Sequence, residues 1–184
     1  MTSNNEVRII GGKWRGRKLV FPKHQDLRPT LGRVRETLFN WLRADIADSR
    51  CLDLFAGSGA LGFEAASRGA AAVTLVDSDR TVCRGLRGHV QRFAAAAQVR
   101  VVCAPAKAFL HREAGPWDLI FLDPPFRQGV LGETLDTIAA TGALAAEGLI
   151  YVEVGRRDAM PDAGWRQIKH GVAGDTQFGL LATP

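Results

Sequence analysis

The sequence predicts an α/β fold in which a mostly parallel sheet carries helices on both faces. Short apolar runs rich in β-branched residues alternate with helical stretches over most of the chain. Such alternation is typical of strands joined by helical crossovers. The last two apolar runs have no helix between them, which predicts an antiparallel hairpin at one sheet edge. With 46% hydrophobic and 23% charged residues, the 184-residue chain can bury a sizeable core.

Seven strands are expected in this sheet. Five predicted parallel strands and the two strands of the hairpin are, in order, Cys51–Phe55, Ala72–Asp77, Val99–Cys103, Asp118–Asp123, Leu149–Val154, Trp165–Lys169 and Thr176–Leu181. Upstream, Arg8 to Leu19 predicts a β-hairpin that turns at Gly11-Gly12, and Arg33 to Ala44 predicts an amphipathic helix. We therefore expect a basic N-terminal extension at 1–45 and a catalytic domain at 46–184.

A strand, a glycine turn and a helix follow one another at Cys51–Gly62. Glycines allow a sharp turn and a close approach of the backbone to a ligand, and the free N–H groups of the new helix give positive potential. Asp77 lies 20 residues after Gly57, where a carboxylate can accept hydrogen bonds from both ribose hydroxyls. The glycines alone fit an NAD enzyme as well as an adenosyl-cofactor enzyme.

Other features favour S-adenosylmethionine. Asp53 lies four residues before the first glycine, where its carboxylate can reach the cationic methionine end of that cofactor. A dehydrogenase would need a further catalytic domain of roughly 100 residues or more, for which the chain has no room. The predicted cofactor contacts along these segments are Asp53, Phe55, Ala56, Gly57, Ser58, Gly59, Asp77 and Ser78.

The tetrapeptide Asp123-Pro124-Pro125-Phe126 follows the apolar run Leu119–Leu122. Two prolines cannot continue a central strand, so the turn leaves the Asp123 carboxylate and the Pro124 carbonyl as acceptors. Two neighbouring acceptors suit an exocyclic NH2 group. Phe126 can stack on a heterocycle, which contributes on the order of 1–3 kcal/mol. The alternative is a proline-rich turn with a core phenylalanine.

The charge is concentrated at the N-terminal end. Residues 1–43 carry a net charge of +7 and the rest of the chain −2. A basic segment beside a nearly neutral domain is typical of proteins that bind a phosphate backbone, although a solvated basic arm is the alternative. The predicted RNA contacts are Arg8, Lys13, Trp14, Arg15, Arg17, Lys18, Arg28, Arg33 and Arg35.

Several other functions find no support in the sequence. No apolar run of about 18 residues predicts a membrane span, and the polar first residues do not resemble a signal peptide, so we expect a cytoplasmic location. Cys51, Cys83 and Cys103 show no metal-ligand spacing and are expected to be buried. The four histidines are scattered, and none is assigned a catalytic role.

The chain resembles the RsmD family of bacterial 16S ribosomal RNA guanine-N2 methyltransferases. The resemblance is carried by Arg8–Leu19, Leu27–Thr30, Arg33–Leu42, Cys51–Gly62 and Asp123–Phe126. It implies the class I methyltransferase fold, S-adenosylmethionine as cofactor, and a guanine in small-subunit ribosomal RNA as substrate, presented in an assembled or assembling particle to a monomeric enzyme. This chain has Ala104-Pro105-Ala106 where the family usually places a polar residue for adenine, so backbone groups around Ala106 are expected to substitute.

The resemblance leads to a mechanistic hypothesis with two rivals. A splayed guanine would stack on Phe126 while Asp123 and Pro124 hold its amino group, and Pro125 fixes the turn. An adenine-N6 methyltransferase acting on DNA or RNA would use a similar cofactor turn and a similar Asp-Pro-Pro-aromatic turn. A non-catalytic RNA-binding protein that kept the fold is the second rival.

Overall fold

The computed structural model describes residues 4–22, 32–113, 115–124, 129–161 and 164–183. The elements are β1 (Asn4–Arg8), β2 (Lys18–Pro22), α1 (Gly32–Trp41), β3 (Arg50–Asp53), α2 (Ala60–Ser67), β4 (Ala72–Asp77), α3 (Arg80–Arg92), β5 (Val99–Cys103), α4 (Ala106–Arg112), β6 (Trp117–Leu122), α5 (Val130–Thr141), β7 (Leu144–Gly155), β8 (Arg166–Ala173) and β9 (Thr176–Ala182). Strands and helices alternate from β3 to β7, as the sequence predicts.

Seven strands form one sheet with the order β5-β4-β3-β6-β7-β9-β8. The strands from β3 to β7 pair in parallel, whereas β9 pairs antiparallel with both β7 and β8. The predicted mostly parallel seven-stranded sheet with a C-terminal antiparallel hairpin is therefore confirmed. The first hairpin strand is longer than predicted, because β8 continues through Gly171 to Ala173.

Helices cover both faces of the sheet. On one face, α1, α2 and α3 pack with the N-terminal hairpin against strand residues that include Cys51, Leu75, Phe121 and Tyr151. We call this the hairpin face. On the opposite face, α4 and α5 pack against alternate residues of the same strands. Because side chains at i and i+2 of a strand point to the same side, the face of each strand-end residue can be read from these two sets.

The N-terminal hairpin differs from the prediction in where it turns. Its strands pair from Asn4 opposite Pro22 to Arg8 opposite Lys18, and a 3-10 turn at Gly12–Trp14 lies inside a loop of residues 9–17. The predicted turn at Gly11-Gly12 is therefore wrong. Gly12 instead allows the loop to lie close to α2, because a Cβ at this position would lie 1.9 Å from the backbone oxygen of Ser67.

The predicted N-terminal extension shares its core with the sheet. Val7, Leu19, Phe21 and Leu38 belong to the same cluster of buried residues as Phe121 of β6. The predicted helix Arg33–Ala44 ends earlier, at Trp41. Within the described ranges, no helix is both long enough and apolar enough to cross a membrane.

Candidate active site

The glycine turn joins β3 to α2 at the carboxyl edge of the sheet. Gly57 and Gly59 have φ values of +49° and +76°, a region that only glycine adopts readily. Gly59 immediately precedes α2, and a Cβ there would lie 2.7 Å from side-chain atoms of both Leu86 and Phe63. Glycine is thus required here both by the backbone conformation and by the packing of α2 against α3.

Asp77, the last residue of β4, is bonded to the glycine turn. Its Oδ2 accepts a hydrogen bond from the N–H of Gly57 (3.0 Å), and its Oδ1 accepts one from the N–H of Asp79 (2.9 Å). A carboxylate has about four lone-pair positions, so these two bonds orient Asp77 and leave it able to accept from ribose hydroxyls. Asp79 then caps α3 by accepting from Thr81 and Val82.

Asp53, the last residue of β3, is a buried carboxyl group with only 2% of its surface exposed. Its Oδ2 accepts a hydrogen bond from the N–H of Gly62 (3.1 Å). Burial, together with the negative charges of Asp123 and Asp77, raises the pKa of Asp53 to about 7. An opposite charge next to such a group would favour its ionised form, which makes Asp53 a suitable partner for a cation.

Four carboxylates lie side by side at the carboxyl ends of adjacent strands. This acidic row consists of Asp77 (β4), Asp53 (β3), Asp123 (after β6) and Glu153 (β7). Each lies two residues beyond a residue of the hairpin face, namely Leu75, Cys51, Phe121 and Tyr151, so all four point to that face. Among the described residues, no group of histidine, cysteine and acidic side chains could hold a metal ion. Carboxylate oxygens such as those of the row accept hydrogen bonds from N–H donors and pair with cations.

The Asp-Pro-Pro-Phe turn begins within this row. Asp123 is half-buried and Pro124 is buried, directly after Leu122, which pairs with Val152 of β7. Pro125 and Phe126 lie outside the described residues, so their predicted positions stay predictions. The structure therefore places Asp123 directly after β6, the strand that adjoins β3 and Asp53.

The other predicted cofactor residues lie on the same edge. Ala56 and Ser58 are buried in the glycine turn, Phe55 is half-buried, and Ser78 is exposed after β4. Ala106 is the first residue of α4. The nearby N–H of Ala104 donates to the backbone oxygen of Asp77 (3.0 Å), which fixes the end of β5 beside the end of β4.

The eight predicted RNA-binding residues that the structure describes divide into an exposed and a buried group. Exposed side chains are found at Arg8, Lys13, Arg15, Arg17, Lys18 and Arg33. Arg28 lies outside the described residues. The prediction is wrong for Trp14 and Arg35, because their exposed fractions are 6% and 3%.

Trp14 is a core residue of the hairpin loop. Its ring packs against Phe63 and Phe93, with ring centroids 6.2 and 5.2 Å apart. Its backbone N–H donates to Ser67 Oγ (2.9 Å). The aromatic ring therefore anchors the loop to α2 and α3 while the neighbouring cations remain in solvent.

Glu64 is the buried partner of Arg35 and was missed by the sequence reasoning. It is fully buried on α2, and its carboxylate accepts from the N–H groups of Ile10 (2.8 Å) and Gly11 (2.7 Å) and from Arg68 Nε (2.7 Å). Arg35 lies 3.8 Å away and donates to the backbone oxygen of Arg8 (3.0 Å). A glutamate in an otherwise apolar helix was the available signal, since such a charge must be paired when it is buried.

A further set of exposed cations, on α3, also escaped the sequence reasoning. Helix α3 has no acidic residue, and its four arginines (Arg80, Arg84, Arg87 and Arg92) are all exposed. The helix lies beside β2, where Arg92 donates to the backbone oxygen of Lys18. The guanidinium groups of Arg17 and Arg92 both lie about 5 Å from the ring of Phe93. The exposed cations of the hairpin and of α3 therefore form one basic surface.

Comparisons with known proteins agree with this geometry. The family model described as "Conserved hypothetical protein 95" matches residues 7–182. The chain belongs to this family. It is 47% identical over 181 residues to "Ribosomal RNA small subunit methyltransferase D" of Escherichia coli, covering 97% of this chain and 91% of that protein.

Solved structures show the same fold. A putative methyltransferase from Escherichia coli matches with a TM-score of 0.90 and 45% identity, covering 97% of this chain and 98% of that one. The 16S rRNA N2 G1207 methyltransferase of Thermus thermophilus, solved with AdoMet and guanosine, matches with a TM-score of 0.70 over 99% of this chain and 50% of that one. At 20% identity, the second match shows the fold alone. The fold is that of class I S-adenosylmethionine-dependent methyltransferases.

Proposed function

We propose that the chain transfers a methyl group from S-adenosylmethionine to the exocyclic N2 amino group of a guanine in 16S ribosomal RNA. The observation that carries this proposal is the position of Asp123 beside Asp53. These carboxylates follow adjacent strands on one sheet face, and the charge of Asp123 contributes to the raised pKa of Asp53. A group bound at Asp123 would therefore lie next to a cofactor bound at Asp53.

The residues of the carboxyl edge fit S-adenosylmethionine. Asp77 offers carboxylate oxygens to the ribose hydroxyls, and Asp53 offers a buried negative charge to the cationic methionine end. The positive φ of Gly57 and Gly59 lets the backbone pass close to the ligand. When bound, this cofactor supplies a methyl group that is already activated by its positively charged sulfur.

Asp123 and Pro124 are the acceptors for the target amino group. The carboxylate of Asp123 and the carbonyl of Pro124 accept one amino hydrogen each, which directs the nitrogen lone pair towards the methyl group. Bound S-adenosylmethionine would supply the methyl group from its sulfonium, and Asp123 would accept the N2 proton that the transfer displaces. Holding two reactants in line can contribute about 7–11 kcal/mol, so orientation is the main contribution of these residues.

The base must leave its stack to reach this edge. A guanine amino group cannot approach the end of β6 while the base is stacked and paired, so the target is splayed out of a loop. We assign the stacking contact to Phe126, which comes three residues after Asp123. Stacking of this kind contributes on the order of 1–3 kcal/mol per base.

The RNA backbone is held by the exposed cations. Arg8, Lys13, Arg15 and Arg17 of the hairpin are exposed. Glu6 pairs with Arg8 (3.9 Å) and Lys18 (2.8 Å), whereas the loop of residues 9–17 contains no acidic residue. We assign the substrate to the small ribosomal subunit, assembled or in assembly, with the monomeric enzyme acting in the cytoplasm. The relatives that match over nearly the whole chain are named for ribosomal RNA of that subunit, which supports this assignment.

Transfer of a labelled methyl group tests the proposal. The substrates are small subunits that lack the modification, protein-free 16S RNA and duplex DNA, each followed by nucleoside analysis. N2-methylguanosine in the subunit or its RNA is the expected product. N6-methyladenine would reject the assigned base, and the absence of label from all three substrates would reject methyl transfer to nucleic acid.

A further inference from the structure

Glu153 lies next to Asp123 and has no role in the reaction described so far. Leu122 pairs with Val152 in the β6–β7 register, so the residues that follow them, Asp123 and Glu153, are neighbours across the two strands. Both point to the hairpin face, because Phe121 and Tyr151 do. Glu153 therefore extends the acceptor set of Asp123 and Pro124 along the sheet edge, on the side away from Asp53.

The environment of Glu153 supplies a donor to its carboxylate. The hydroxyl of Tyr151 donates a hydrogen bond to Glu153 Oε1, and Tyr151 itself is 1% exposed. Burial raises the pKa of Tyr151 well above its usual range, and the negative charges of Glu153 and Asp123 raise it further. The phenol therefore stays protonated and donates to Glu153 Oε1.

The edge of guanine matches such a set of acceptors. Guanine presents the N1–H and the two N2 hydrogens side by side, whereas adenine presents an amino group next to the N1 lone pair. Asp123 and Pro124 can hold the amino hydrogens of either base. A third acceptor in line with them favours guanine, whose N1–H can donate to it. It opposes adenine, because its carboxylate would face the N1 lone pair and neither group could donate a hydrogen bond to the other.

We propose that Glu153 is a specificity-determining residue that accepts the N1–H of the target guanine. This inference rests on the proposed function, since it assigns a further contact to the same base. Tyr151, which is buried in the core, positions the Glu153 carboxylate through the hydrogen bond from its hydroxyl. The competing explanation is that the hydrogen bond between Tyr151 and Glu153 only stabilises the fold. The two explanations predict different ratios of kcat/KM for substrates with and without an N1–H.

The ratio is kcat/KM for one RNA substrate divided by kcat/KM for another, both measured with the wild-type enzyme. One carries guanine at the methylated position. The other carries 2-aminopurine, which keeps the 2-amino group but has a lone pair at N1 in place of the N1–H and a hydrogen in place of O6, so the substitution Glu153→Gln is needed to separate the two changes. If Glu153 reads the N1–H, kcat/KM for guanine exceeds that for 2-aminopurine by about 100-fold or more. Equal kcat/KM values for the two substrates would overturn the inference without any variant being made.

The substitution Glu153→Gln then tests the residue itself. Glutamine can turn its NH2 group towards the N1 lone pair, so the preference for guanine should fall by about tenfold or more. Because both kcat/KM values in the ratio are measured with the same variant, a general loss of activity affects them equally and cancels. A structural role for the Tyr151–Glu153 bond predicts that Glu153→Gln and Tyr151→Phe lower both rates alike and leave the ratio unchanged, which would also overturn the inference.

A matched control is available on the same strand. Glu147 of β7 is exposed, and Glu147→Gln makes the same chemical change away from the acidic row. It should retain the wild-type ratio. If the wild-type enzyme forms no N2-methylguanosine on the guanine substrate, the proposed function fails and this inference fails with it. A wild-type product with an unchanged ratio in Glu153→Gln rejects the role of Glu153 alone.

Discussion

Asp53 and Asp123 are carboxylates of adjacent strands whose different depths fit them for different tasks. Asp53 is buried beneath the glycine turn and bonded to Gly62, whereas Asp123 is half-buried beside it. The deeper group suits a fixed cation of the cofactor. The shallower group suits a substrate that enters and leaves with each turnover.

Replacement of Asp123 by alanine should reduce turnover far more than cofactor binding. The variant loses the carboxylate that orients the amino group in the transition state, a change that typically costs about 100- to 1,000-fold in kcat. Single-turnover methyl transfer and calorimetric titration with S-adenosylmethionine measure the two effects. Asp136→Ala, on the exposed side of α5, is the control and should match the wild type. Near-normal turnover of Asp123→Ala would remove Asp123 from the mechanism.

The raised pKa of Asp53 predicts that cofactor affinity depends on pH. With a pKa of about 7, Asp53 is mostly protonated at about pH 6 and mostly ionised at about pH 8, so binding of a cation should strengthen about tenfold over that interval. Asp123 and Asp77 contribute to the raised pKa, but only Asp53 is replaced in the variant Asp53→Asn. That variant should bind weakly and with little pH dependence in the same calorimetric titration. A wild-type affinity that is constant from pH 6 to 8 would contradict the assignment.

The same pKa has a consequence for stability in the absence of cofactor. The folded protein holds the Asp53 proton up to about pH 7, whereas the unfolded chain releases it near the ordinary aspartate pKa of 3.8. The native state thus binds more protons between these values, and the free energy of unfolding falls as pH rises through this window. Asp53→Asn should remove that part of the slope, because its side chain does not titrate.

At the scale of elements, the hairpin loop and α2 form one unit. Glu64 accepts hydrogen bonds from two backbone groups of the loop and from Arg68, and Ser67 Oγ donates to the backbone oxygen of Gly11 (2.6 Å). Because α2 begins directly after the glycine turn, these contacts fix the basic hairpin relative to the cofactor site. The hairpin therefore combines an exposed cationic side with a buried side that positions it.

Two glycines of the loop provide a test of this contact. Gly12 and Gly16 both have positive φ, +73° and +82°, but a Cβ at Gly12 would strike the backbone of Ser67 whereas a Cβ at Gly16 would meet no atom within 4 Å. Gly16→Ala should cost about 1–2 kcal/mol of unfolding free energy for its conformation alone. Gly12→Ala should cost at least about 1–3 kcal/mol more, because α2 and the loop must separate. Urea denaturation measures both, and equal costs would show that the close approach to α2 is unimportant.

The strands and the turns at their ends were predictable from local sequence patterns, whereas the burial of individual side chains was not. The glycine turn, Asp77 and Asp123 follow apolar runs directly, so their shared sheet edge was expected. Trp14 and Arg35 lie among cations in the sequence, and their burial depends on Phe63, Glu64 and Phe93, which are distant along the chain. Glu153 was missed for a similar reason, because its position beside Asp123 is set by the β6–β7 register and by no local motif.

At the scale of the whole molecule, the acidic row is buried or half-buried, whereas the cations of the hairpin and of α3 are exposed. The acidic row lies at the carboxyl edge of the sheet, while the exposed cations of the hairpin continue onto α3 through the contact of Arg92 with Lys18. The net charge of +5 is therefore unevenly placed. A phosphate backbone held along the basic surface would be kept from the acidic row, which a splayed base could then enter with its N–H donors.

The salt dependence of RNA binding measures how many of these cations contact phosphates. For the double variant Arg15→Ala/Arg17→Ala, we expect weaker binding to 16S RNA and a slope of log K against log salt reduced by about 2. The control Arg100→Ala/Arg112→Ala removes the same charge from exposed positions on β5 and at the end of α4, away from the hairpin, and should leave the slope unchanged. Filter binding from about 50 to 300 mM salt gives both slopes. Equal slopes for the two double variants would show that the hairpin cations are solvated and that the RNA is held by another surface.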